Sequence, residues 1–274
     1  MKLIFSGLII PISTIDWYGR SVSVVFFNGC NFKCLYCSNN EFIRMSNPLE
    51  PFFREKKGKK KKRKNIIVSS PLEPLFKKGN VVDIEEIEKQ ILDAKSFISA
   101  VVFSGGEPTT PSHFEGLERL ARFAKEQGLL VGIETNGYYP DRLSSLIEKK
   151  LLDKIFLDIK ASPDDAQSYS TITGGIRDAA ERALQSLNLK GVDIEVRTTV
   201  FRSFADVLGI AKTLTGHDCT YVIQQGIPEY APDKKIRQEK PLNRDELVAL
   251  AQSVSFLKDV RIRTREKGEE RVIS

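Results

Sequence analysis

Three thiols fall within eight residues of this 274-residue chain, in the stretch Asn28-Gly29-Cys30-Asn31-Phe32-Lys33-Cys34-Leu35-Tyr36-Cys37-Ser38-Asn39. Spacings of three and then two residues let one loop wrap a single inorganic cluster with three thiolates, which leaves a fourth iron open to a ligand. An open metal position is where a cofactor or substrate coordinates, whereas a closed four-ligand site is structural. The competing arrangement is zinc completed by Cys219 or His217. Both of these precede an expected strand, whereas the cysteine loop follows one, so a parallel sheet puts them at opposite edges. Five residues at about 3.3 Å each separate those edges by roughly 16 Å. Zinc therefore requires a different fold, and Cys219 reads as a small buried hydrophobe.

Further polar groups recur where strands should end. Ser104-Gly105-Gly106-Glu107-Pro108 follows the second expected strand, and its glycines allow a backbone to approach a ligand while the acid can meet a cation. Taken alone, such a loop is also a common tight strand-to-helix turn. Glu134-Thr135-Asn136-Gly137 follows the third strand, and Asp158-Ile159-Lys160 ends the fourth, where the alternative is an exposed ion pair worth under about 1 kcal/mol. Arg197 lies inside the fifth strand, so it either occupies an outward edge position or meets a carboxylate of Glu134, Asp158 or a ligand. Gln224-Gln225-Gly226 ends the sixth and could line a nucleoside.

Cys30-x-x-x-Cys34-x-Tyr36-Cys37 resembles the signature of the radical S-adenosylmethionine (radical SAM) superfamily, including the aromatic residue before the last cysteine. The resemblance implies a 4Fe–4S cluster on Cys30, Cys34 and Cys37. Its free iron chelates the methionyl amine and carboxylate of S-adenosylmethionine, and reductive cleavage yields a 5′-deoxyadenosyl radical, with the protein supplying position and exclusion of water. Gly105, Gly106 and Glu107 resemble the family's glycine-glycine-glutamate-proline motif for the methionyl ammonium. Similarity to pyruvate formate-lyase activating enzymes carries cofactor binding to Glu134, Asn136, Asp158 and Lys160. Tyr36, Asn39 and Arg197 complete the expected set.

The segment from Pro11 through Trp17 and Arg20 to Val24 and Cys30 is similar to activating enzymes of glycyl radical proteins, particularly those of anaerobic ribonucleoside-triphosphate reductase. Tyr18 stands where that family usually has proline, and Ser38 where histidine or glutamine often follows. The resemblance implies a glycyl radical enzyme as protein substrate and a reduced flavodoxin or ferredoxin-type protein as electron donor. The alternatives are a radical SAM enzyme acting on an RNA base, peptide or metabolite, and a non-catalytic iron–sulfur carrier with a fourth cluster ligand.

The elements that must position these residues are legible as alternation. Apolar runs at 23–27, 100–103, 129–133, 155–159, 194–200 and 221–224 read as buried parallel strands. Helical patterns lie between them. One begins at Asp83, with Glu86 suggesting a capping box, and others cover 114–127, 176–187, 204–214 and 244–257. Six strand–helix units imply an α/β fold, a partial (β/α)6 barrel of the radical SAM type with parallel strands in one domain over residues 1–274, its site at the strand C-termini. Residues 46–80 break the rhythm and read as a flexible insertion, with the near-repeat Pro48-Leu49-Glu50-Pro51 and Pro71-Leu72-Glu73-Pro74. Arg54 to Lys64 carries nine basic residues and one acid, more than the chain's net charge of +6, so the remainder is slightly acidic. This tract is a solvated lysine run or, less simply, an arm for nucleic acid or an acidic partner. No apolar run is long enough to span a membrane, and four cysteines spaced in this way fit a reducing cytoplasm.

Overall fold

The computed structural model describes residues 4–5, 7–39, 82–204 and 206–274. The expected insertion at 46–80 lies outside these residues. Eleven strands are found among them: β1 (Ile4–Phe5), β2 (Gly7–Ser13), β3 (Val22–Phe27), β4 (Val82–Asp83), β5 (Ala100–Gly105), β6 (Leu130–Thr135), β7 (Lys154–Asp158), β8 (Asp193–Val200), β9 (Thr220–Gln225), β10 (Val260–Thr264) and β11 (Gly268–Ile273). Seven helices alternate with them: α1 (Ile84–Ala94), α2 (Phe114–Glu126), α3 (Pro140–Glu148), α4 (Ala166–Ile172), α5 (Ala179–Leu187), α6 (Val207–Leu214) and α7 (Arg244–Gln252).

Strands β3, β5, β6, β7, β8, β9 and β10 pair in that order, all parallel, with β2 antiparallel at one edge and β11 at the other. Each crossover steps one strand in the same direction. Because such crossovers are right-handed, every helix falls on the same face, and the sheet curls into an open partial barrel. The six expected parallel strands are all present. A seventh, β10, and the antiparallel edges β2 and β11 extend the sheet beyond that expectation; the charged residues in β10 and β11 break up any apolar run.

Alternation along each strand sorts side chains to two faces. Val25, Phe27, Val101, Phe103, Ile133, Leu157, Val196 and Ile223 join Ile87, Ile91, Leu117, Leu120 and Leu143 of the helices in the main core. Full burial of each such side chain contributes about 1.5–3 kcal/mol. The opposite face holds a smaller cluster of Trp17, Val24, Phe26, Val102 and Phe156, with the Trp17 ring edge-on to Phe156 at 5.4 Å. Beyond it, that face is ionic. Arg197 pairs with Glu134 and Glu195, Lys154 with Glu195, and Arg263 with Glu269.

Helix boundaries correct several expectations. Asp83 does stand at the N-cap of α1, but its side chain accepts no helical amide, and Glu86 instead accepts from Gln90 at 3.2 Å. The reciprocal capping box forms at α7, between Asn243 and Glu246. Asp206 caps α6 through the Gly209 amide, so that helix starts at Val207 and not at 204. Helix α5 starts at Ala179, after the Gly174–Gly175 turn, and α7 ends at Gln252. No helix among the described residues is long and apolar enough to cross a membrane.

Candidate active site

The cysteine loop leaves the C-terminal end of β3, and its neighbours grip it by backbone hydrogen bonds. The Gly106 amide donates to the Phe27 carbonyl at 2.7 Å, and the Glu107 amide donates to Gly29 at 2.9 Å. A Cβ on Gly105 would lie 2.4 Å from the Phe27 oxygen, and one on Gly106 would lie 1.8 Å from the Gly29 oxygen. The glycine pair is therefore demanded by chain-to-chain contact; the close approach expected toward a ligand is made to the cysteine loop itself. Asn39 closes the loop's far end by donating to the Gly105 carbonyl at 3.1 Å.

The loop's aromatic residues are anchors. Phe32 is buried edge-on to Tyr138 at 5.7 Å, and Tyr36 packs on Phe201 while its hydroxyl donates to the Lys160 carbonyl. Tyr36 is thus fixed by protein contacts that hold the loop in place.

Glu107 is held from within the protein. It is fully buried, and its carboxylate accepts from the Thr109 amide at 3.0 Å, the Thr109 hydroxyl, the Thr135 hydroxyl at 2.8 Å and the Asn136 amide at 2.8 Å. It staples the β5 and β6 loops together, with three of the four donors on one carboxylate oxygen and the Asn136 amide on the other. Arg197 is similar. Its guanidinium donates to Glu195 at 2.7 Å, Glu134 at 2.5 Å and the Asp16 carbonyl at 3.0 Å, and lies 3.9 Å over the Phe156 ring. The Glu134 partnership expected for Arg197 is present. With all three nitrogens engaged, Arg197 orients Glu134 and does not reach outward.

Groups with remaining capacity stand at the same rim. Glu134, further held by Ser104 at 2.5 Å, keeps a partly exposed carboxylate that burial pushes above the usual range against the pull of Arg197. Lys160 donates to Asp158 at 2.6 Å, and Asp158 is the more exposed partner. Burial works against the Lys160 charge, but Asp158, Tyr36 and Cys34 outweigh it and hold the ammonium protonated. Asn136 donates to the Asn31 side-chain carbonyl at 2.9 Å and stands 3.8 Å from the Cys30 sulfur. Gln224 is taken up by Arg263 at 2.9 Å, and Gln225 by the Leu242 carbonyl and Arg265 amide, so both are bound to protein.

Burial raises the thiol of Cys30 to about 12, with Glu107 and the other two cysteines adding to it, and that of Cys34 to about 11, with Lys160 opposing. Burial raises Cys37 in the same way. Three such thiols ionise only when a metal supplies positive charge. Beside Cys30, the Asn31 side-chain N–H is buried without a hydrogen-bond partner, and an inorganic sulfide would supply the missing acceptor. Among the described residues, no three Cys, His, Asp or Glu side chains converge as a single metal ion requires. A cubane, with its irons on separate corners, asks its thiolates to stand further apart. Cys219 is half-buried and precedes β9, on the opposite rim. The donor set thus fits a cluster and not zinc.

Comparison with known proteins agrees: residues 24–214 match the radical SAM superfamily. The chain belongs to that superfamily. Membership brings a 4Fe–4S cluster on three cysteines, and S-adenosylmethionine. This radical SAM protein is 30% identical, over 96% of its length and 97% of the relative's, to a Methanocaldococcus jannaschii protein provisionally named a glycyl-radical enzyme activating enzyme. It is 27% identical to the pyruvate formate-lyase-activating enzyme of Clostridium pasteurianum, over 67% of this chain and 63% of that one. A radical SAM methyltransferase from Sphaerobacter thermophilus shares the fold, with a TM-score of 0.58 at 15% identity over 92% of this chain and 68% of the other.

Sequence reading missed Ser104, Thr109 and Thr135, whose hydroxyls hold the two glutamates, and the Asn31 amide. The only available signal was that Ser104, Thr109 and Thr135 are small polar residues near a motif acid and that Asn31 follows the first cysteine.

Proposed function

We propose that this radical SAM enzyme installs a glycyl radical on a partner protein. Cys30, Cys34 and Cys37 hold the cluster, and Asp158, Lys160, Glu134 and Asn136 receive S-adenosylmethionine at the same sheet rim. When bound, the cluster and S-adenosylmethionine supply a 5′-deoxyadenosyl radical able to abstract hydrogen from carbon. The chain's own residues provide a fixed loop, a paired ammonium and carboxylate for the amino-acid and ribose ends of the cofactor, and a buried aromatic contact between Trp17 and Phe156 on the inner face of the sheet. The observation that carries the choice of substrate is the alignment with the Methanocaldococcus jannaschii relative, which runs through nearly the whole of both chains.

The test is anaerobic reconstitution with iron and sulfide, followed by reduction with S-adenosylmethionine and a candidate glycyl radical protein. The expected result is 5′-deoxyadenosine together with an electron paramagnetic resonance doublet on the partner, lost when the partner's acceptor glycine is replaced by alanine. 5′-Deoxyadenosine without any protein radical, across candidate partners, would remove the glycyl substrate and point to another radical SAM reaction.

A further inference from the structure

The loop between β2 and β3 leaves one edge of the sheet, yet its residues touch strands across most of the inner face. The Asp16 carbonyl accepts from Arg197 of β8 at 3.0 Å, and the Trp17 ring meets Phe156 of β7 edge-on at 5.4 Å. The Tyr18 ring lies 5.1 Å from the Arg261 guanidinium of β10, and Arg20 stands over the Trp17 ring at 5.4 Å. Trp17 is the chain's only tryptophan, and it is buried although it belongs to a loop.

Room for this ring is made at Gly132. A Cβ there would lie 2.9 Å from Phe156 and 3.0 Å from Trp17, so the two rings fill the space that a β6 side chain would take. Side chains alternate along a strand, so Gly132 and Glu134 share a face, and the rings sit one step along β6 from the Glu134 carboxylate. The Arg197 guanidinium lies 3.9 Å over Phe156 and donates to Glu134. It is thus held on its flat face by an aromatic ring, and at its edges by Glu195, Glu134 and the Asp16 carbonyl. Two of those restraints, the ring that Trp17 backs and the Asp16 carbonyl, depend on the β2–β3 loop.

We propose that Trp17 is a positioning residue for S-adenosylmethionine: it backs the Phe156–Arg197 stack that aims the Glu134 carboxylate, an inference that rests on Glu134 receiving the cofactor. Without the indole, Phe156 gains freedom toward the space over Gly132, and the neighbouring Asp16 loses its anchor. Arg197 then loses two restraints at once. Glu134 keeps its charge partner but not its direction. A carboxylate aimed in advance binds more tightly than one that the ligand must order. Tyr18 serves the same end more weakly, because its contact with Arg261 ties the loop to the far side of the sheet.

The test measures S-adenosylmethionine binding to the reconstituted, oxidised holoenzyme by equilibrium dialysis, beside its iron content. Trp17→Leu should bind roughly three- to thirtyfold more weakly at unchanged iron content, and Trp17→Phe, which keeps a ring against Phe156, should recover most of the loss. Glu134→Gln should also bind more weakly. In the Glu134→Gln background, Trp17→Leu should add little, because both changes act through one carboxylate. Wild-type affinity in Trp17→Leu, or a loss that simply adds to that of Glu134→Gln, would overturn the positioning role. Wild-type affinity in Glu134→Gln would overturn instead the reading of Glu134 as a cofactor residue. If Trp17→Leu takes up less iron, the half-exposed Tyr18 carries the test. Tyr18→Leu should then lose roughly two- to fivefold in affinity, the scale of an exposed cation–π contact, with Tyr18→Phe restoring it. Wild-type affinity in Tyr18→Leu would overturn the proposal in that case.

Discussion

Gly106 and Gly29 meet so closely across the sheet rim that a Cβ on Gly106 would stand 1.8 Å from the Gly29 carbonyl oxygen. The β5 loop is therefore the wall on which the cysteine loop is laid. Gly106→Ala must push that wall away, at a cost on the scale of core overpacking, about 1–3 kcal/mol. Expected are a lower melting temperature and less iron per chain after reconstitution, whereas Gly128→Ala, a glycine with no atom near its missing Cβ, leaves iron content unchanged. Equal iron in Gly106→Ala and wild type would show that the wall does not set the loop.

The Glu107 staple makes a second prediction. Glu107→Gln keeps the shape but presents an amide N–H₂ to one side of a site built only from donors. A buried donor facing donors costs about 1–3 kcal/mol. The apo-protein should lose that much stability in urea, before any cofactor is added. A role confined to cofactor contact would leave the apo-protein's unfolding midpoint where it was, and that outcome would refute the staple.

How much of this was legible in the sequence follows from what is local and what is not. The parallel strands were readable because burial on both faces writes a continuous apolar run, as in 100–103. Strand β10 was not, since Arg261 and Arg263 alternate with Ile262 and look like a surface segment until Glu269 and Asp259 are brought beside them. The cysteine spacing was local and plain. Glu107, Tyr36 and Arg197 were found as site residues, but the direction each faces is decided by partners from 2 to 181 residues away in sequence, such as Thr109 for Glu107 and Asp16 for Arg197, which no single-segment pattern encodes.

Glu195 sets a pH dependence. Burial opposes its ionisation, but Arg197, then Lys154 and Arg263, outweigh burial and hold its carboxyl below the ordinary glutamate range. A depressed folded-state value means the unfolded chain binds the proton first. The stabilisation is therefore complete above the unfolded glutamate value and is lost as pH falls through the folded one. Glu195→Gln should lower stability at neutral pH by about 3–5 kcal/mol, the scale of breaking a buried ion pair, and should flatten the acid limb of the stability profile. Urea unfolding from neutral to acidic pH reads both effects, and parallel profiles for the two proteins would exclude Glu195 as their source.

The Asn31 amide offers a readout at the cluster itself. Its N–H is buried without a protein partner next to Cys30, while its carbonyl is fixed by Asn136. Hydrogen bonds to cluster sulfur draw electron density from the irons and favour the reduced state. Asn31→Leu fills similar space without the donor, so the reconstituted cluster should become harder to reduce, with its midpoint potential shifted negative at unchanged iron content. Asn31→Asp should shift it further the same way, because a carboxylate adds negative charge at the same place. A potentiometric titration showing Asn31→Leu at the wild-type potential would mean that the orphan N–H points away from the cluster.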